Sequence, residues 1–334
     1  MYLEEQAAPA IGVPAAEAAI PRRPPAWANI LRFVRRKPLG AFGFFLVFVL
    51  LAMTLGTPKA QFGWPSLPDR PFGFELGSPW LARYDQEDQF FAENGGVARL
   101  QAPTGNHWFG TDNNGRDTYA RIVTGARRSL FVGFWALFVA TLLGTAVGVI
   151  SGYFGKWLDT TVQRFMDALQ SFPPLIALIL IVTINPFGGG ATASLLMAAF
   201  SLGLVGIPSV QRITRGVVLS TRELQYVEAA RVIGASDSRI MLRYILPNIT
   251  ASIIVVFSTG IGVVILAEAA LSFIVPSIVP SGTSWGLMLS ESYTRLGSAP
   301  YPGLFSSAAI AMAVLAFNLA GDALRDVLDP RLRL

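Results

Sequence analysis

Few side chains in this sequence are equipped for chemistry, and they can be tested one by one. The acidic run "DNNGRD" (112–117) has the spacing of a calcium loop, in which alternate oxygens wrap a hard cation. Arg116 stands at a ligand position and no glycine occupies the required turn, so an EF-hand is excluded. The stretch "SGYFGKW" (151–157) carries a Gly-Lys pair without the first glycine or the hydroxyl residue of a P-loop, so the chain cannot bind ATP that way. Cysteine is absent and His107 is the only histidine, which removes disulfides and His/Cys zinc sites. The remaining chemical residue of note is Glu268, the one acidic side chain inside a long apolar run. A carboxylate there is costly and marks either a watery pathway or a bond to a neighbouring helix. Ser258, Gly262, Ala269 and Ser272 lie along nearly the same side, small residues that suit a pathway wall or close helix packing.

These residues are carried by a strongly apolar chain. Of 334 residues, 52% are hydrophobic and 14% charged, where a soluble domain carries about 25% charged. The apolar residues gather into six runs near 39–57, 129–151, 172–188, 191–211, 249–275 and 304–321. Runs of about 20 residues match a hydrocarbon core about 30 Å thick, so the chain reads as an all-α, polytopic membrane protein. The second run contains Gly144, Gly148 and Gly152, a double GxxxG that lets another backbone approach, within the subunit or from a partner.

The segments outside the runs divide the chain further. Residues 1–26, rich in alanine and proline, read as a disordered tail. Within 27–57, "WANILRFVRRK" places Trp27, Ile30, Leu31 and Val34 on one face and basic residues on the other, an amphipathic helix on an anionic lipid surface before the first span. Residues 58–128 form a long loop on the far side, and 129–334 hold the remaining five spans. Lysines and arginines of the short loops cluster on the side of both termini, six of them in 212–247, which places both termini in the cytoplasm. The net charge of +5 is therefore a membrane-topology signal and implies no nucleic-acid partner.

One segment stands apart. "EAARVIGASDSRIMLRYILPN" (228–248) is polar between two apolar runs. Gly234 suits the left-handed residue that ends a helix, and Ser236 or Asp237 can cap a second one. Ile240, Met241, Tyr244 and Ile245 give that second helix an apolar edge, and Pro247 is expected to break the pattern before span five. A short helix across the cytoplasmic face, over residues 235–245, follows. With no P-loop and almost no intramembrane acid, this is where an outside energy source would act.

Glu228-Ala229-Ala230, Gly234 and Leu246-Pro247 resemble the EAA loop of ABC importer permeases, with Tyr244 where the general pattern has isoleucine. "FGTDNNGRDTYARIVTGARRSL" (109–130) is similar to the outer-loop signature of the C-type permease subunits of dipeptide, oligopeptide and nickel importers, on Gly110, Thr111, Asp112, Gly115, Arg116 and Asp117. "AEAALSF" (267–273), "SWGLML" (284–289) and "GDALRDVLDPRLR" (321–333) are similar to later segments of the same subunits, so the resemblance covers roughly 28–334. The chain departs from that pattern after "LSF", where "IVPSIVP" (274–280) brings in Pro276 and Pro280.

The resemblance implies a type I ABC importer permease fold with six transmembrane helices and a cytoplasmic coupling helix in the bacterial inner membrane. It implies a homologous permease as heterodimer partner, two cytoplasmic ATPase subunits and an extracytoplasmic substrate-binding protein. ATP and Mg would be bound by the ATPases, with no cofactor on this non-enzymatic chain. Glu228, Ala229, Ala230, Gly234, Ala235, Ser236, Asp237, Arg239, Ile240, Leu246 and Pro247 would couple to the ATPases, and Ser258, Gly262, Glu268 and Ser272 are candidates for the pathway. A secondary transporter or channel acting alone, or a membrane scaffold, are the readings from other classes.

Overall fold

A computed structural model describes residues 33–35, 37–55, 84, 86–91, 96–184, 191–276 and 283–328. The tail 1–26, most of the N-terminal amphipathic segment, much of loop 58–95 and Pro280 lie outside the described residues. The described chain is helical: α1 (Pro38–Leu55), α2 (Thr118–Phe154), α3 (Lys156–Gln170), α4 (Pro174–Ile184), α5 (Ala191–Thr221), α6 (Gln225–Val232), α7 (Asp237–Ile274), α8 (Trp285–Tyr293) and α9 (Tyr301–Leu328).

Five of the expected runs correspond to α1, α2, α5, α7 and α9, and the third departs from expectation. α2, α5, α7 and α9 are each long and apolar enough to cross a membrane, whereas α1 is apolar but shorter. α4 covers only 11 residues and is bent 85° from α3, so the third run is not one straight spanning helix. α2 begins at Thr118, well before the apolar run. Asp117 caps it through Ala120 N–H at 2.7 Å, and Arg121 and Arg128 are buried within it instead of marking a loop.

The glycine stripe of α2 settles which neighbour it admits. A Cβ on Gly144 would come within 2.8 Å of Val210 Cβ, one on Gly148 within 2.8 Å of the Gln211 carbonyl oxygen, and one on Gly152 within 3.0 Å of Val218 Cβ. The spacing thus serves close packing of α2 on α5 inside the subunit. Gln211 Nε2 donates to Ser151 Oγ at 3.1 Å across that seam, where both side chains are fully buried. On the other side, Leu50, Ile122, Ala126, Ile265, Trp285, Ala313 and Ala316 form the core shared by α1, α2, α7, α8 and α9. Trp285 fixes α8 there by donating from Nε1 to the Ile122 carbonyl at 2.9 Å.

α7 is longer than expected. Asp237 to Ile274 is one helix with a π-helical stretch at Ile240–Ile245, so Pro247 does not end a separate segment. A proline in a helix loses one N–H bond and crowds the carbonyl four residues back; the wide π turn just before it relieves that crowding. The one short separate helix here is α6, which ends before Gly234 as expected, whereas the helix expected over 235–245 is the start of α7.

Candidate functional site

Both ends of the bundle carry the sequence-predicted residues, in contrasting environments. At the end formed by residues 96–118, Asp112 is the hub. Its Oδ1 accepts from the N–H groups of Asn114 and Arg116 at 2.8 and 2.9 Å, and its Oδ2 from Arg116 Nε at 2.9 Å and from Arg121 Nη1. Arg121, only 1% exposed, also donates to Glu291 of α8 at 2.6 Å and to Thr283 at 3.4 Å. Burial works against the charge of Arg116, but Asp112, Glu291 and Glu87 outweigh it and hold the guanidinium above its usual range.

The glycines of this motif have backbone reasons. Gly110 and Gly115 sit at φ +73° and +77°, and a Cβ on Gly110 would lie 2.2 Å from the Gln101 carbonyl oxygen. Thr111 Oγ1 donates to the Ala98 carbonyl at 2.5 Å, and Asp117 accepts from His107 Nδ1 across 2.8 Å when that nitrogen is protonated. Gly110, Thr111, Asp112, Gly115, Arg116 and Asp117 therefore form a clasp that fastens the loop to α2 and α8. Glu291, which completes the clasp, was missed by sequence reading. It lies 170 residues from Arg121, in a segment noted only for "SWGLML".

At the other end, residues 225–248 divide into a buried and an exposed set. Val227, Ala230, Ile240 and Ile245 are buried with Val149, Tyr153, Val218 and Ile249. Tyr153 Oη donates to Asp237 Oδ1 at 2.6 Å, and the Arg231 guanidinium lies 5.5 Å from the Tyr153 ring centroid. Arg222 Nη1 donates to the carbonyls of Gly152 and Tyr153 at 2.9 and 3.3 Å, closing the end of α2. Gly234, at φ +77°, turns the chain out of α6, and Ala235 N–H returns to the Ala230 carbonyl at 3.0 Å.

The exposed set contains Glu228, Ala229, Gly234, Ser236, Asp237, Arg239 and Pro247, while Ala235 and Leu246 are half-buried. Its most exposed apolar members are Val232 at 82%, Ile233 at 77% and Leu242 at 65%; Leu242 fell within the expected helix, and Val232 and Ile233 were absent from the sequence prediction. The signal that could have found them is an apolar pair beside a helix-ending glycine with no hydrophobic partner at helical spacing.

The pathway candidates occupy a different setting. Glu268 is 2% exposed; its Oε1 accepts from Ser272 at 2.7 Å, Ser129 and Ser284 lie beside it, and Arg128 is within electrostatic reach. A Cβ on Gly262 would meet the Val314 carbonyl and Asn318 at 3.2 Å, and Ser258 is half-buried with its hydroxyl on the Val255 carbonyl. Glu268, Ser272 and Gly262 thus pack inside the chain against α2, α8 and α9, and do not line an open groove. α8 closes over that side of α7: Gly286 sits where a Cβ would come within 2.2 Å of the Ala269 carbonyl oxygen.

Comparison with known proteins agrees with this architecture. Residues 144–334 match the family described as the binding-protein-dependent transport system inner membrane component. A dipeptide transport system permease protein of Alkalihalophilus pseudofirmus is 42% identical over 243 residues, covering 73% of this chain and 78% of that protein. A glutathione transport system permease protein of Pectobacterium atrosepticum is 39% identical over 255 residues, covering 76% and 81%. A methionine ABC transporter solved in inward-facing conformations shares the fold alone, with a TM-score of 0.52 and 18% identity over 63% of this chain and 96% of that one. The chain is a multi-pass membrane protein with the type I importer permease fold, and it belongs to the binding-protein-dependent inner membrane component family. It is the permease, a transport component of an ABC importer.

Proposed function

We propose that this chain forms half of the translocation pathway of an importer for small peptides or related solutes, and that ATP-driven motion enters through residues 225–248. The peptide class rests on the dipeptide and glutathione relatives, with glutathione itself a modified tripeptide. The partners that fit are a homologous permease, two cytoplasmic ATPases that bind ATP and Mg, and an extracytoplasmic binding protein. The basic short loops put both termini and this loop in the cytoplasm.

The observation that carries the reading is the division of the loop. Ala230, Ile240 and the Tyr153–Asp237 bond tie it to α2 and α7, while Val232 and Ile233 beside Gly234, and Leu242 further along, are exposed together with Glu228 and Arg239. Apolar side chains exposed on a rigid mount suit a cleft on another subunit. Because α7 continues unbroken from Asp237 to Ile274, movement of that mount is delivered directly into the membrane. ATP must bind more tightly in one arrangement than the other for the bundle to switch.

The test is co-purification. Val232→Asp with Ile233→Asp should insert normally and lose the ATPases, and Gly234→Pro should leave hydrolysis uncoupled from uptake in reconstituted vesicles. Retention of the ATPases and full uptake by both variants would overturn the docking assignment.

A further inference from the structure

We infer that α3 is an interfacial anchor that lies along the bilayer surface on the side of the 228–248 loop, with Trp157, Phe165 and Leu169 set into the lipid. The geometry begins at the turn that precedes it. α2 ends at Phe154 and α3 starts at Lys156, with Gly155 and Lys156 both at positive φ (63° and 52°). The chain therefore turns out of α2 within Gly155 and Lys156, which keeps the start of α3 at the level where that span ends. The next apolar helix, α4, is bent 85° from α3. If α4 runs into the bilayer, α3 lies nearly in its plane.

The ion pairs to α5 give the same inclination independently. Asp159 accepts both Nε and Nη2 of Arg215 at 2.5 Å, and Asp167 accepts Nη2 of Arg212 at 3.0 Å, with Gln170 on the same nitrogen at 2.8 Å. Asp159 and Asp167 are about 12 Å apart along α3, whereas Arg215 and Arg212 are about 4.5 Å apart along α5, at 1.5 Å per residue. Two parallel helices would match these separations. The mismatch agrees with α3 lying at an angle to the membrane-spanning α5, the arginine side chains taking up part of the difference.

The side chains of α3 sort into three strips. Met166 is buried and, with Asp159, faces α5. Trp157, Phe165 and Leu169, at i, i+8 and i+12, form an exposed apolar stripe. Lys156, Thr160, Arg164 and Asp167 take the remaining exposed side. Asp159 and Asp167 are occupied by arginines of α5, while Lys156 and Arg164 stand outside every ion pair found among the described residues. The outward charge of this helix is consequently positive, complementary to anionic lipid headgroups.

Exposed apolar side chains continue along the chain past α3, at Phe172 in the bend and at Ile176 and Leu180 of α4, which is lipid-depth surface by its composition. A bilayer accounts for all of these features together: an apolar stripe, a cationic flank, a tryptophan and a right-angled junction with an apolar helix. A protein partner covering the stripe would not require the cationic flank or the continuity with α4.

The chain contains no cysteine, so an introduced cysteine is its only thiol, and labelling of the accompanying subunits is subtracted with the same complex carrying the unsubstituted chain. Phe165→Cys and Thr160→Cys, each in the full-length chain purified with the subunits that accompany it, are labelled with an environment-sensitive fluorophore and reconstituted into phosphatidylglycerol vesicles. The label at 165 should be quenched several-fold more by lipid carrying a nitroxide near its carbonyls than by aqueous iodide, and the label at 160 should show the reverse order. Leu169→Cys repeats the reading on the same stripe should the first variant assemble poorly. Protection of the stripe positions from both quenchers would mean a protein partner covers them, and quenching by iodide as strong as at 160 would mean water does. Either result overturns the proposal, and neither depends on whether residues 225–248 dock an ATPase.

Discussion

The two ends of this bundle solve opposite problems. At the 112–121 end, charges are buried and answered: Asp112, Arg116, Arg121 and Glu291 form one network that joins a loop to α2 and α8. At the 225–248 end, hydrophobic side chains are left in the open on a support fixed by few polar contacts, chiefly Tyr153–Asp237 and Arg222 on the end of α2. A closed network of paired charges specifies one geometry and resists change. An exposed apolar surface on a well-anchored base is complete only when something covers it. The contrast teaches that polarity does not mark the mobile or the partner-facing end here; the more charged cluster is the clasp.

The sharpest way to break the contrast is at Arg121. Arg121→Ala removes the buried cation between Asp112 and Glu291 and leaves only the longer contacts of Arg116 to answer both, and should destabilise the chain by about 3–5 kcal/mol. Thermal unfolding in detergent measures it, and an unchanged midpoint would mean the clasp is not structural. Next comes the seam that both ends share. Gly148→Leu forces side-chain atoms into the Gln211 carbonyl and Thr214, and overpacking of this kind costs about 1–3 kcal/mol, read as a lower unfolding midpoint with α2 and α5 separating first in hydrogen exchange.

At the open end the expected effects are smaller. Gly234→Ala meets nothing within 4 Å, so its cost is that of a left-handed backbone alone, about 1 kcal/mol, and the stability loss should appear without loss of ATPase binding. Tyr153→Phe removes one hydrogen bond to an exposed carboxylate, worth about 0.5–1.5 kcal/mol, and should raise amide exchange in residues 233–240 while leaving the 112–121 end untouched. Equal exchange at both ends would show that the two regions are not independent.

What could be read from the sequence was whatever depends on local period and on residue type. Apolar runs gave the helices α1, α2, α5, α7 and α9, and Gly234 was legible as a helix end because a left-handed residue there favours glycine. The motif residues Asp112 and Arg116 were legible as a set, and their partner Glu291 was not, since pairing across 175 residues leaves no local trace. The register of the 228–248 loop was also hidden. Pro247 locally signals a break, and the π turn that lets α7 run through it is set by how Ile240 and Ile245 are buried against α2 and α5.

The sequence by itself determined that this chain crosses a membrane repeatedly, carries no ATP-binding loop and presents one polar segment between apolar spans. These follow from transfer energies and motif chemistry, which each stretch of chain carries alone. Tertiary structure decided which face each residue takes. Glu268 and Ala269 fell inside because α8 closes over that side of α7, Gly262 because α9 packs against it, and Gly144, Gly148 and Gly152 of α2 turned to α5, which comes close enough there to need them. The apolar stripe of α3 stayed outside because the arginines of α5 hold its opposite face. Facing is a property of contacts between distant segments, and it is settled only when those segments meet.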